Sequence, residues 1–363
     1  MAELDQFFRG RPGVEAIVNR ITELVNGPVS IMEVCGTHTM SIFRHGLRAL
    51  LPKEINLVSG PGCPVCVTSQ QDIDRMICLA DMDDVIVATF GDLLRVPGSN
   101  GSLADARARG AKVQVVYSPA DALKLAQSQK GEHVIFLGIG FETTAPTVAA
   151  TILQAHNLKL SNFSVYSSHK VMPPALHALF EDEGLSVHGL LCPGHVSSII
   201  GTKAYEPICE RFGLPCVVAG FEPLDILAGI LLILRQIRDG KAIVENAYTR
   251  AVSDQGNRRA LAIMEQVFET RPARWRGLGT IDKSGLGIRD EFSMFDAERR
   301  FDIKTPEVKE HRGCICGEII RAKALPPQCP MFAKKCTPTS PIGPCMVSSE
   351  GTCSAYYRYA GHE

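Results

Sequence analysis

Eight short apolar runs, each closed by Gly, Pro or Ser, alternate with helical patterns over roughly the first 240 of 363 residues. The runs are Val29–Val34, Ile55–Ser59, Val85–Thr89, Lys112–Tyr117, His133–Ile139, Phe163–Ser167, Val187–Leu191 and Cys216–Ala219. Unbroken β-branched runs of this length suit strands covered on both faces, as in parallel sheets. Helical spacing fills the intervals at Ser69–Leu79, Ala120–Gln127, Thr147–His156, Pro174–Glu181 and Leu224–Arg238. Alternating β and α segments predict α/β layers, with ligands at the carboxyl ends of the strands.

A weak internal echo suggests two similar Rossmann-like units. Gly140-Phe141-Glu142 and Gly220-Phe221-Glu222 each leave a strand and open a helix. Cys35-Gly36-Thr37-His38 and Cys192-Pro193-Gly194-His195 likewise close apolar runs. The expected partition is one α/β domain over 29–130, a second over 131–240, and a helical, cysteine-rich region over 241–363 joined by residues 1–28. Past residue 240 the alternation stops. A helix at Arg258–Glu269 precedes a Gly-rich stretch, Gly277–Gly287, a charged region, Arg289–Arg312, and a tail rich in Pro and Gly.

Six of the thirteen cysteines fall in that tail, at 314, 316, 329, 336, 345 and 353. The N-terminus lacks a basic then apolar leader, and the longest apolar run, Ile226–Leu234, is too short for a bilayer. The expected location is therefore cytoplasmic, where thiols stay reduced unless they are catalytic or bind metal. The formal net charge of −1 and the single tryptophan give no footprint for nucleic acid or a membrane surface. Soft thiolates suit cluster iron, and a cube needs four. The surplus pair would be free for disulfide chemistry beside it. Zinc knuckles prefer paired C-x₂-C, which the tail lacks; a structural zinc site stays as the lesser reading.

Pro61-Gly62-Cys63-Pro64-Val65-Cys66 joins a strand to a helix, and helix N-termini favour thiolate. This pair suits dithiol–disulfide cycling or metal binding. Cys35 beside His38 is a candidate nucleophile or ligand if its loop faces Cys63 and Cys66. Gly138–Pro146 resembles a phosphate loop only superficially, lacking the full glycine pattern and the lysine. Glu142 in it is a candidate acid or structural cap. His195 follows a second candidate loop. Cys78, Cys209 and Cys216 lie in apolar patterns and read as core.

Together, Met32–Thr39 (MEVCGTHT), Pro61–Thr68 (PGCPVCVT), Gly140–Thr147 (GFETTAPT), Cys192–Gly201 (CPGHVSSIIG) and the tail from Cys329 to Tyr357 closely resemble the HypD family. These are formation proteins for [NiFe] hydrogenases. The resemblance covers nearly the whole chain and keeps every motif cysteine. It implies a scaffold that, with the small partner HypC, holds iron while the Fe(CN)₂CO unit is built. Cyanide would come from HypE with HypF, and the unit would pass to the hydrogenase large-subunit precursor. Carried onto this chain, it implies Cys35 with one of Cys63 and Cys66 as iron-holding thiols. It also implies a [4Fe–4S] cluster on Cys314, Cys329, Cys336 and Cys353, with Cys316 and Cys345 as a redox pair. Glu142, His38 and His195 are expected to handle protons or cyanide nitrogen. The rival expectation is a cluster-driven thiol–disulfide oxidoreductase acting on another protein.

Overall fold

The computed structural model describes residues 11–182, 184–305, 311 and 313–360. The alternation builds two parallel sheets. The first has five strands in the order β2 (Ile55–Ser59), β1 (Val29–Glu33), β7 (Gly189–Pro193), β8 (Cys216–Ala219) and β9 (Val244–Asn246). The second has four, in the order β4 (Lys112–Val115), β3 (Val85–Thr89), β5 (His133–Gly138) and β6 (Phe163–Ser167). All pairings within them are parallel.

Strand alternation fixes which face goes where. Successive side chains point to opposite faces. Val85 and Val87 of β3, and Cys216 and Val218 of β8, enter one continuous core shared by the two sheets. Ile86 and Ala88 instead meet Ala122, Val148 and Ile152 on the outer face of the second sheet. Val217 and Ala219 meet Ile226, Ile230 and Ile21 on the outer face of the first. Both faces of each sheet are covered, which explains the unbroken apolar runs.

The expected partition at 130/131 and 240 differs from this arrangement. Each sheet draws strands from both sides of residue 130. The chain lays down β1 and β2, builds the whole second sheet, and returns to place β7 against β1, with Glu33 opposite Leu191. Periodicity identifies strands but carries no information about which strand pairs with which. The N-terminal helix, Arg11–Leu24, packs on helix Pro223–Arg238 of the first sheet rather than on the tail.

Beyond residue 240 the sequence reading missed β9 and an antiparallel hairpin, β10 (Phe268–Trp275) and β11 (Gly279–Ile288). The expected helix to Glu269 stops at Val267. Pro272 obscured β10, but it sits at a register shift between Arg271 and Ala273, where a missing N–H is tolerated. In the tail, short helices Cys316–Ile320, Pro344–Val347 and Thr352–Tyr359 alternate with irregular chain. Helix Thr352–Tyr359 packs on helix Gly36–Arg44, and helix Pro344–Val347 on the turn Pro64–Val67. Phe43 meets Tyr356 edge-on at 4.6 Å, and Arg48 lies over the Phe43 ring at 4.7 Å. The tail thus roofs the carboxyl edge of the first sheet. No helix among the described residues is long and apolar enough to cross a membrane.

Candidate metal and thiol centre

Four strand exits of the first sheet converge at its carboxyl edge. β1 delivers Cys35, β2 the Pro61–Cys66 turn, β7 His195, and β8 Gly220 and Phe221. The Cys35 and Cys63 loops are packed backbone to backbone. Gly36 N–H donates to Gly62 O at 3.1 Å. A β-carbon on Gly62 would lie 2.3 Å from the Cys35 nitrogen and 2.5 Å from its Cα, so only glycine fits. Cys35 and the Cys63–Cys66 pair are therefore immediate neighbours, which meets the condition set above for their joint chemistry.

Cys63 and Cys66 form a disulfide across the one-turn helix Pro64–Val67, with Cα atoms 5.2 Å apart. Cys66 N–H donates to Cys63 Sγ at 3.2 Å, so the sulfur itself caps the turn. The Ser348 hydroxyl, from the tail, lies 3.5 Å from Cys63 Sγ. Cys35 is a buried free thiol. Burial, reinforced by the Glu350 carboxylate, pushes its pKa up to about 12. At neutral pH it keeps its proton until something electropositive replaces it.

Two acidic groups here escaped the sequence reading. Glu33, the last residue of β1, is buried beneath Cys35. It accepts from Thr39 Oγ1 at 2.6 Å and from the Cys35 N–H at 3.3 Å. Burial pushes its pKa up to about 7 despite those hydrogen bonds. Glu350 descends from the tail, accepts from the Thr37 hydroxyl at 2.6 Å, and sits where a β-carbon on Gly36 would be. Glu33 read as strand and Glu350 as loop; only tertiary packing gives either one a role.

The histidines divide. His38 is fully buried; its Nε2–H donates to Gly220 O at 2.8 Å and its ring lies 4.9 Å from Phe221. Burial drops its pKa to about 4, so it is neutral and fixes the β1 and β8 loops together. His195 is exposed and its ring lies 4.0 Å from Phe221, within electrostatic reach of Glu350. Glu142 belongs to the loop whose Gly140 and Thr144 line a cavity with Pro64, Val65 and Glu350. It is buried, accepts from the Met172 N–H at 2.9 Å, and anchors the start of helix Met172–Phe180. The echo of C-G-T-H in C-P-G-H comes from adjacent strands β1 and β7 of one sheet, not from two halves. Cys209 and Cys216 are core, as expected, whereas Cys78 is half-buried.

The six tail cysteines converge. Cys314 touches Cys316, Cys316 touches Cys345, and Cys345 touches Cys353. Cys336 stands within electrostatic reach of Cys314, Cys329 and Cys353. Contact with the Cys316 thiol, then burial, pushes the Cys314 thiol far up. Such crowding of protonated sulfur fits a set of donors for thiophilic metal. Among the described residues, no three His, Cys, Asp or Glu side chains are closed into a metal-ligating group. A narrow cavity lined by Cys63, Cys66, Cys345 and Glu350 joins the tail to the disulfide.

The family model for HypD, described as the hydrogenase formation hypA family, matches residues 13–360. The hydrogenase maturation factor HypD of Rhodobacter capsulatus is 46% identical over 353 residues, covering 96% of this chain and 94% of that protein. The hydrogenase expression/formation protein HupD of Azotobacter chroococcum is 48% identical over 336 residues (91% and 89%). HypD of Escherichia coli is 45% identical over 337 residues (93% and 90%). Converging cysteines, their spacing and end-to-end similarity agree: the chain belongs to the HypD family of hydrogenase maturation factors.

Proposed function

We propose that this protein, acting in the cytoplasm with HypC, holds the iron on which the Fe(CN)₂CO unit of [NiFe] hydrogenase is assembled. Cyanide arrives from HypE with HypF, and the finished unit passes to the large-subunit precursor. The observation that carries this reading is the backbone packing of Cys35 against the Cys63–Cys66 turn, under a roof of further cysteines.

Cys35 and one of Cys63 and Cys66 hold the iron substrate. Cys35 stays protonated in its buried pocket, and iron takes the place of that proton. The second thiol becomes available when the disulfide is reduced, which consumes two electrons and two protons and yields two thiols. Cys314, Cys329, Cys336 and Cys353 would hold a [4Fe–4S] cluster, which supplies electrons one at a time when bound. Cys316 touches both Cys314 and Cys345, and Cys345 reaches the cavity beside Cys63 and Cys66. This contact supports a relay through the pair. His38 positions two loops, and His195 with Glu350 would hold or pass a proton, a role their electrostatic proximity supports.

Infrared spectroscopy and iron counting on the protein co-purified with HypC test the reading. Cyanide and CO stretching bands are expected; a fully iron-loaded complex without them refutes it. The same result would favour the second reading, a cluster-driven disulfide oxidoreductase, for which the Cys63–Cys66 disulfide beside Cys345 speaks.

A further inference from the structure

A highly charged cavity with no cysteine in its lining lies where the chain leaves β6 at the carboxyl edge of the second sheet. Parallel sheets commonly bind ligands at such edges. Its walls are the first turns of helix Gln70–Ala80, the segment Ser167–Lys170 and strand β10. Its volume is about 180 Å³, and a water's share of liquid is about 30 Å³. It therefore has room for a small polyatomic ion and accompanying water.

Charge in the cavity is unbalanced. Arg75, Lys170, Arg271 and Arg274 face it, against only Asp72 and Glu298. Glu298 serves two guanidinium groups, Arg75 at 3.0 Å and Arg271 at 2.5 Å. Lys170, only 4% exposed, reaches Asp72 at no better than 3.5 Å. Asp72 already accepts from Tyr166 Oη at 3.1 Å and Ser69 Oγ at 2.9 Å. Of the residues lining it, three carry a buried side-chain atom with no hydrogen-bond partner among the described residues, the Ser168 hydroxyl, Arg75 Nε and His169 Nε2, and the first two are donors whatever the histidine tautomer. Buried donors are nearly always satisfied. An ion-pair network sufficient to itself would not leave them open or leave a buried ammonium so loosely matched.

We propose that this cavity binds a small oxyanion, a phosphate or a carboxylate, held by Lys170, the Ser168 hydroxyl and the guanidinium groups of Arg75 and Arg271. An acceptor group there would satisfy both open donors and offset the excess positive charge, through charge-assisted hydrogen bonds.

The test is thermal unfolding of the full-length protein in titrations of inorganic phosphate and of sodium formate, against chloride at constant ionic strength and pH. A ligand that binds only the folded state raises the melting temperature in a saturable way. The expected result is such a rise for at least one oxyanion and none for chloride. A phosphate-only response identifies a phosphate ligand and a formate-only response a carboxylate. Lys170→Met should weaken apparent affinity about tenfold or more. Ser168→Ala, a small change that keeps the ion pairs, should weaken it about fivefold. Responses no greater than for chloride overturn the proposal. So does undiminished affinity in folded Ser168→Ala, which would place the anion elsewhere.

Discussion

The tightest constraint on the thiol centre is a missing side chain, and replacing Gly62 by alanine tests it. The added β-carbon would sit 2.3 Å from Cys35 N, 2.5 Å from Cys35 Cα and 2.5 Å from Val34 C. Carbon contacts are comfortable at about 3.5–4.0 Å, so the loop must retreat by about 1 Å. All three neighbours are backbone, and no rotamer change can relieve the clash. Overpacking of this kind costs about 1–3 kcal/mol. Retreat also breaks the 3.1 Å bond from Gly36 N–H to Gly62 O, worth about 1 kcal/mol. We expect a loss of about 3 kcal/mol, which at a urea m-value of about 3 kcal/mol/M lowers the unfolding midpoint by about 1 M. Gly131→Ala is the control. Nothing lies within 4 Å of its added carbon, and it should shift stability by less than about 0.5 kcal/mol. If the two variants unfold at the same urea concentration, the Cys35 and Cys63 loops are not packed backbone to backbone.

Three further outcomes are expected. On the proposed function, Cys35→Ser purified with HypC should lose the cyanide and CO bands yet keep the brown absorption that iron bound to the tail cysteines would give; retained bands would remove Cys35 as a ligand. Glu142→Gln probes a carboxyl whose pKa burial pushes from 4.5 up to about 7. The native state keeps that proton while the unfolded chain ionises, so its contribution is complete below about pH 4.5 and is lost as pH rises through 7. Gln keeps the bond from Met172 and does not titrate; its stability relative to wild type should rise by about 1–3 kcal/mol from pH 5 to pH 8, and a flat difference in urea midpoints would contradict the burial argument. Arg276→Lys removes the fork that joins the hairpin to Thr68 O and Gln70 Oε1, each at 3.0 Å; a loss of about 2–3 kcal/mol in urea unfolding is expected, and no loss would mean that the fork is not formed.

What the sequence carried, it carried through local rules. Ile55–Ser59, Val85–Thr89, Phe163–Ser167 and Cys216–Ala219 end where their flanking Gly, Pro and Ser residues say they should. Helix Gln70–Ala80 starts at the Ser69 cap, whose hydroxyl accepts from Asp72 N–H at 3.1 Å. The grouping of Cys35 with Cys63 and Cys66 was legible because strand exits gather at one edge. Pairing order was not, since β1 meets a partner more than 150 residues away. Glu33, Glu350 and the Ser167–Lys170 segment were invisible for a related reason. Each acquires its chemistry from burial by distant chain, and nothing in the neighbouring residues encodes that. Glu142 stood as a candidate acid or structural cap, and its bond from the Met172 N–H shows the capping contact.

The interrupted first sheet has a consequence for biogenesis. When β1 and β2 leave the ribosome, the strand that will cover the β1 side is still some 130 residues from being made. At about 5–20 residues per second, that delay is on the order of ten seconds. Throughout it, a nascent two-stranded ribbon carries an open hydrogen-bonding edge and uncovered apolar surface, with Cys35 and Cys63 beside it. Such a ribbon is a target for wrong pairing. The connectivity therefore predicts that yield depends on translation speed between the two visits to the sheet.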